Sequence, residues 1–138
     1  MSYDLTIRAD DRYSKSAPVG PLSQFIGQLT YIRANGDRGF AWEAPPDRWM
    51  EIDLEVVNTE GDNIEEKGRT YPEVNCVSLH IPYGHFDDSR ERPYLPVART
   101  IAEHLGWKVF DDQKGRYIPV HGTAGGKSAE ERQLKLWE

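Results

Sequence analysis

Residues 49–57 leave little freedom in how they fold. Met50, Ile52, Leu54 and Val56 alternate with Glu51, Asp53 and Glu55. A period of two puts the apolar set on one side of a β-strand and the carboxylates on the other. Such a strand needs sheet partners at its edges and a second layer over its apolar side.

Candidates for both are present. Residues 2–8 alternate in the same way, with Tyr3, Leu5 and Ile7 against Asp4, Thr6 and Arg8. Residues 75–82 do so again, with Val77, Leu79 and Ile81 against Cys76, Ser78 and His80. Helical spacing appears twice. Leu22, Phe25, Ile26 and Leu29 form a stripe behind Pro21, which opens a helix where its missing N–H costs nothing. Val97, Ala98, Ile101, Ala102 and Leu105 form a second stripe behind Pro96, with Gly106 as the C-terminal cap. Tyr31–Arg33 and Gly39–Trp42 flank Asn35-Gly36 as a hairpin, and Trp107–Phe110 with Arg116–Pro119 make another.

The resulting order, β-α-β-β-β-β-α-β-β, predicts an α+β fold. Its mainly antiparallel sheet has two helices on one face, in a loosely ferredoxin-like arrangement, and an open acidic face on the other. Residues 1–121 read as one domain. Residues 122–138 read as a Gly-rich link and a short helical tail.

Charge narrows the partners. The formal net charge is −6 over 138 residues, which disfavours nucleic acid and anionic membrane as partners. The acidity is local: residues 49–66 hold Glu51, Asp53, Glu55, Glu60, Asp62, Glu65 and Glu66 with no Lys or Arg, so the remaining chain carries +1. Three readings stand for the strand carboxylates, which lie ~7 Å apart along one face. They form a docking surface for a basic partner, a solvated face whose neighbouring strands supply Arg and Lys, or a metal-binding or catalytic group. A single cysteine, Cys76, an acidic N-terminus and no run of ~18 apolar residues predict a cytoplasmic protein.

Catalytic and cofactor motifs fit poorly, and neither a cofactor nor a metal is expected. Gly126-Lys127-Ser128 ends like a phosphate loop, but that spacing requires glycine where His121 stands. Arg38-Gly39-Phe40-Ala41-Trp42 resembles the opening of the RNA-recognition signature until Glu43 replaces its valine. His80, His85, Asp87 and Asp88 lack the tight spacing of a zinc site. One enzymatic arrangement stays open if strands 49–57 and 75–82 are neighbours. His80 would then act as base, oriented by Asp53 or Glu55, with Ser78 or Cys76 as nucleophile. Trp42 and Trp49 flank the Pro45-Pro46 turn, either as exposed anchors or as packing beneath that loop.

The short acidic chain, its start MSYDLTIRADD and the stretch RWMEIDLEVVN leading to Asp62-Asn63 resemble a known group. They are similar to the small immunity proteins of bacterial polymorphic-toxin and contact-dependent or type VI secretion systems. The resemblance covers overall size and layout and is closest over 48–63. It implies a cytoplasmic, non-enzymatic protein that binds one cognate toxin domain with a basic cleft and blocks its active site. On that reading Glu51, Asp53, Glu55, Glu60, Asp62, Glu65 and Glu66 contact the toxin, and Trp42 or Trp49 anchors it. The competing expectation is a small hydrolase or isomerase using the His80 face.

Overall fold

A computed structural model of the chain describes residues 2–36, 38–45, 48–82 and 91–119. In chain order the elements are β1 (Ser2–Arg8), β2 (Ala17–Pro18), α1 (Val19–Gly27), β3 (Ile32–Ala34), β4 (Gly39–Ala44) and β5 (Arg48–Glu55). They continue with β6 (Glu73–Val74), β7 (Cys76–Pro82), α2 (Glu91–Leu105), β8 (Lys108–Asp111) and β9 (Arg116–Ile118). Seven strands form one sheet in the order β3-β4-β5-β7-β1-β8-β9, every pair antiparallel. The central four, β5-β7-β1-β8, with α1 following β1 and α2 joining β7 to β8, have the ferredoxin-like order. The hairpin β3-β4 extends one edge and β9 the other.

The three alternating segments become the three central strands, because each has an apolar face that only a shared core can bury. Ile52 lies opposite Leu79, and Leu79 opposite Leu5, so one row of side chains crosses the sheet. Leu22 and Ile26 of α1 and Tyr94, Ala98, Ile101 and Ala102 of α2 close over that face, all essentially buried. One continuous apolar cluster results, and the opposite face of the sheet is polar.

Local details depart from the sequence expectations at the prolines. Helix α1 begins two residues before Pro21, which sits in the first turn where the N–H has no intrahelical acceptor anyway. Pro96 lies inside α2, not at its start. Buried Tyr94 holds the turn before it against the core, and this packing outweighs the one backbone bond that proline removes. The pair β2–β6, two residues each, forms a separate small sheet that no periodicity announced. The Gly-rich stretch and tail, 122–138, lie outside the described residues.

Gly106 ends α2 with φ of 72°, while its N–H bonds the Glu103 carbonyl and the Trp107 N–H that of Ala102. A Cβ at Gly106 would meet nothing within 4 Å, so the cost of adding one is conformational alone. Gly106→Ala is expected to destabilise the fold by about 1–2 kcal/mol in urea unfolding.

Candidate functional site

The polar face of the sheet is built by register. On β5, Glu51 and Asp53 lie opposite Ala41 and Gly39 of β4 on one side, and opposite His80 and Ser78 of β7 on the other. Glu55 lies opposite Cys76. Beyond β7, Asp4 and Thr6 of β1 face His80 and Ser78 in turn. Strands 49–57 and 75–82 are therefore neighbours, and the carboxylate row has no Lys or Arg in register on either flank. The expectation that adjacent strands would neutralise it with Arg or Lys fails for β4 and β7. Arg33, the nearest cation on β3, is taken by Glu43 at 3.0 Å. Arg8 of β1 is taken by the hydroxyls of Tyr13 and Tyr117 and lies 4.1 Å from the centre of the Phe110 ring.

The basic group set among these carboxylates is His80. Its Nδ1–H donates to Asp4 Oδ1 at 2.8 Å, and its Nε2 stands 3.9 Å from Asp53 Oδ2. Partial burial opposes the charge on this ring. The hydrogen bond to Asp4 and the charges of Asp4, Asp53 and Glu55 overcome that and hold His80 above its ordinary value of 6.5. Asp53 moves upward too, chiefly through burial and then through repulsion from Glu51, with His80 opposing and Glu55 adding.

Folded His80 thus binds its proton more tightly than it does in the unfolded chain. Its stabilising contribution is complete below pH 6.5 and is lost as pH rises through the raised folded value. The wild-type urea midpoint is expected to fall between about pH 6 and 8 more steeply than that of His80→Asn. Parallel pH profiles would show that the ring carries no such charge.

Catalysis by a nucleophile fits this geometry badly. Ser78 Oγ donates to Glu55 Oε1 at 2.7 Å, the His80 ring bonds Asp4, and among the described residues no hydrogen bond joins Ser78 or Cys76 to His80 as a nucleophile–base pair needs. The Cys76 thiol is buried, and burial with the nearby Glu55 pushes it up to about 12, far from a thiolate at neutral pH.

The remaining sequence candidates divide. Trp42 is 7 % exposed on the core face, edge-on to Tyr94 at 5.4 Å, so it is no surface anchor; Phe40 beside it is equally buried. That burial also withdraws both rings of the RNA-like motif from the open face. Trp49 lies on the open face, half-buried and hydrogen-bonded to Glu43 at the rim of the carboxylates. Glu60 and Asp62 are exposed in the connector after β5. Glu65 folds back, accepting the Val56 N–H at 3.2 Å and pairing with Arg38. Glu66 pairs with Arg69 at 3.3 Å. The four connector acids are thus not part of the strand row.

The sequence reading missed Asp4 and Asp112. Asp112 follows β8 and accepts the Thr6 hydroxyl at 2.9 Å, which adds a carboxylate on the far side of β1. The signal for Asp4 was its place on the polar side of β1, informative only once β1 is known to flank β7.

Among the described residues, no group of three or more His, Cys, Asp or Glu is placed to hold a metal ion. His85, Asp87 and Asp88 lie outside those residues, as does the stretch resembling a phosphate loop. No described helix is long and apolar enough to cross a membrane. Compared with protein-family models, with curated proteins and with solved structures, the chain matches none.

Proposed function

We propose that this protein is a cytoplasmic immunity protein that binds a cognate toxin domain through the open face of its sheet and blocks that domain's active site. One observation carries the reading. Glu51, Asp53 and Glu55 stand on a rigid central strand between Gly39 and Ala41 on one side and β7 on the other, with no Lys or Arg in register. Like charges held side by side cost stability, and a basic cleft on a partner would relieve that cost on binding. Such a surface also speeds encounter with a basic partner at low salt. Many domains that attack nucleic acids or nucleotides have clefts of that sign. Trp49, at the rim, supplies an aromatic contact beside the charges.

The reading is tested in cells. Expression of the toxin domain encoded beside this protein should arrest growth, and co-expression of the protein should restore it. Growth arrest that persists with both proteins folded and abundant would overturn the proposal.

A hydrolase or isomerase working through His80 alone is the competing reading, favoured by the 2.8 Å bond that orients the ring on Asp4. An imidazole between two carboxylates holds its proton more tightly than a free one, which suits a counter-charge better than a base. His80→Ala separates the two readings: it would abolish turnover in an enzyme and leave an inhibitor's protection intact.

A further inference from the structure

Where β4 starts beside β5, a groove of about 640 Å³ opens at the strand's edge, lined from the open face by Asp53 and Glu55 and from the helix side by Val19. Its floor carries Asp53 and Glu55, and its wall is formed by Arg38, Arg69 and Tyr71. The volume falls within the range of roughly 300–1,000 Å³ typical of ligand sites. The wall is internally balanced. Arg38 pairs with Glu65 and Arg69 with Glu66, and the two guanidinium groups lie 5.7 and 5.2 Å from the centre of the Tyr71 ring. The Glu66 N–H donates to the Tyr71 oxygen at 2.9 Å, which ties the wall to the connector.

The floor is not balanced. Among the described residues, Asp53 has only His80 as a cationic neighbour within 4 Å, and Glu55 has none; Glu55 accepts the Ser78 hydroxyl. Gly39 keeps the approach to Asp53 open. A Cβ there would fall 3.1 Å from Asp53 Oδ1 and 2.4 Å from the Asn35 carbonyl oxygen. The groove thus has a wall in which each guanidinium pairs with one carboxylate, Arg38 keeping one buried nitrogen without a partner, and a floor whose carboxylates pair with no arginine or lysine.

We propose that this groove is a guanidinium receptor that takes an arginine side chain of the protein partner between Asp53 and Glu55. The proposal rests on the docking function above and names the group that the face receives. Two carboxylates ~7 Å apart on one strand face offer separate acceptors to the two edges of a planar fork. A guanidinium is also more weakly hydrated than an ammonium, so it enters a half-buried groove at lower cost than lysine.

The test uses the full chain and N-acetyl-L-arginine methylamide, followed by amide NMR shifts. Saturable shifts are expected at Gly39, Asp53, Glu55 and Tyr71. Binding of the lysine analogue should be weaker by about fivefold or more, and the uncharged citrulline analogue should give no saturable shift. The isosteric double variant Asp53→Asn, Glu55→Gln should lose about tenfold or more in affinity for the arginine compound. Absence of saturation, equal response to citrulline, or undiminished binding by the double variant would overturn the assignment.

A second variant separates the groove from the docking function. Thr70→Trp fills the groove from an exposed wall position without changing charge. If the toxin domain binds Thr70→Trp undiminished, the arginine receptor is refuted and the docking face stands. If the arginine compound binds but no toxin domain does, the receptor stands and the immunity function falls.

Discussion

Replacing Glu51, Asp53 and Glu55 together by lysine is expected, on the proposed docking function, to weaken binding of the cognate toxin domain by about a hundredfold or more, with folding intact. Close charge pairs across protein interfaces couple by several kcal/mol, and a hundredfold corresponds to only about 2.7 kcal/mol. Reversal removes three attractions and adds three repulsions, so the effect should exceed that of neutral Gln and Asn replacements. Half-exposed side chains whose neighbours are Gly39, Ala41, Ser78, His80 and Cys76 leave the core face untouched. Titration calorimetry reads the affinity, and the urea midpoint checks the fold. The association rate should fall and the dissociation rate rise, and the effect on association should shrink as salt is raised. Unchanged affinity in a folded triple variant would remove this face from the interface.

The second large effect is on stability. Asp111 closes β8 on the core face, opposite Leu5, and is fully buried. One carboxylate oxygen accepts the Tyr3 hydroxyl. The other accepts the backbone N–H groups of Gln113 and Lys114 and the Gln113 side-chain amide, each at 3.0 Å. This one side chain fixes the β8–β9 turn and satisfies a phenol on the central strand. Asp111→Ala strands those donors and leaves a void, and each unmet buried donor costs about 1–3 kcal/mol. Partial access to water at the turn softens the sum, so a loss of about 2–4 kcal/mol is expected in urea unfolding. Asp111→Asn, which keeps one acceptor oxygen, should lose less. A loss below about 1 kcal/mol for the alanine variant would show that the turn holds without this anchor.

What could be read from the sequence follows from how polarity encodes position. The strands at 2–8, 49–57 and 75–82 were legible because polar and apolar residues alternate strictly, so the period and the buried face come from the same letters. β4 was harder. Gly39, Phe40, Ala41 and Trp42 are all buried, because small residues on its open side lie beneath their neighbours. The strand alternates in size and not in polarity, so Trp42 read equally well as an exposed anchor. Asp111 was invisible for the converse reason: an aspartate reads as surface unless its hydrogen bonds are known.

The site was legible in part only. The carboxylate row is a property of one strand and stood in the sequence. The contact of His80 with Asp4 and Asp53 depends on the order β5-β7-β1, which local patterning does not encode. Pairing across 76 residues, as between Asp4 and His80, is set by the packing of the whole sheet. The groove was hidden for the same reason, since its wall comes from a polar connector whose path is fixed by Glu65 bonding the Val56 amide and pairing with Arg38.

The most direct measurement mixes the purified protein with the purified C-terminal domain of the neighbouring gene's product, the proposed toxin partner, and determines the mass of the product by light scattering during size exclusion. The account predicts a single species with the summed mass of the two proteins, formed faster at low salt, in which the domain's activity is lost. Two separate species, with both proteins folded and the domain still active, would contradict it.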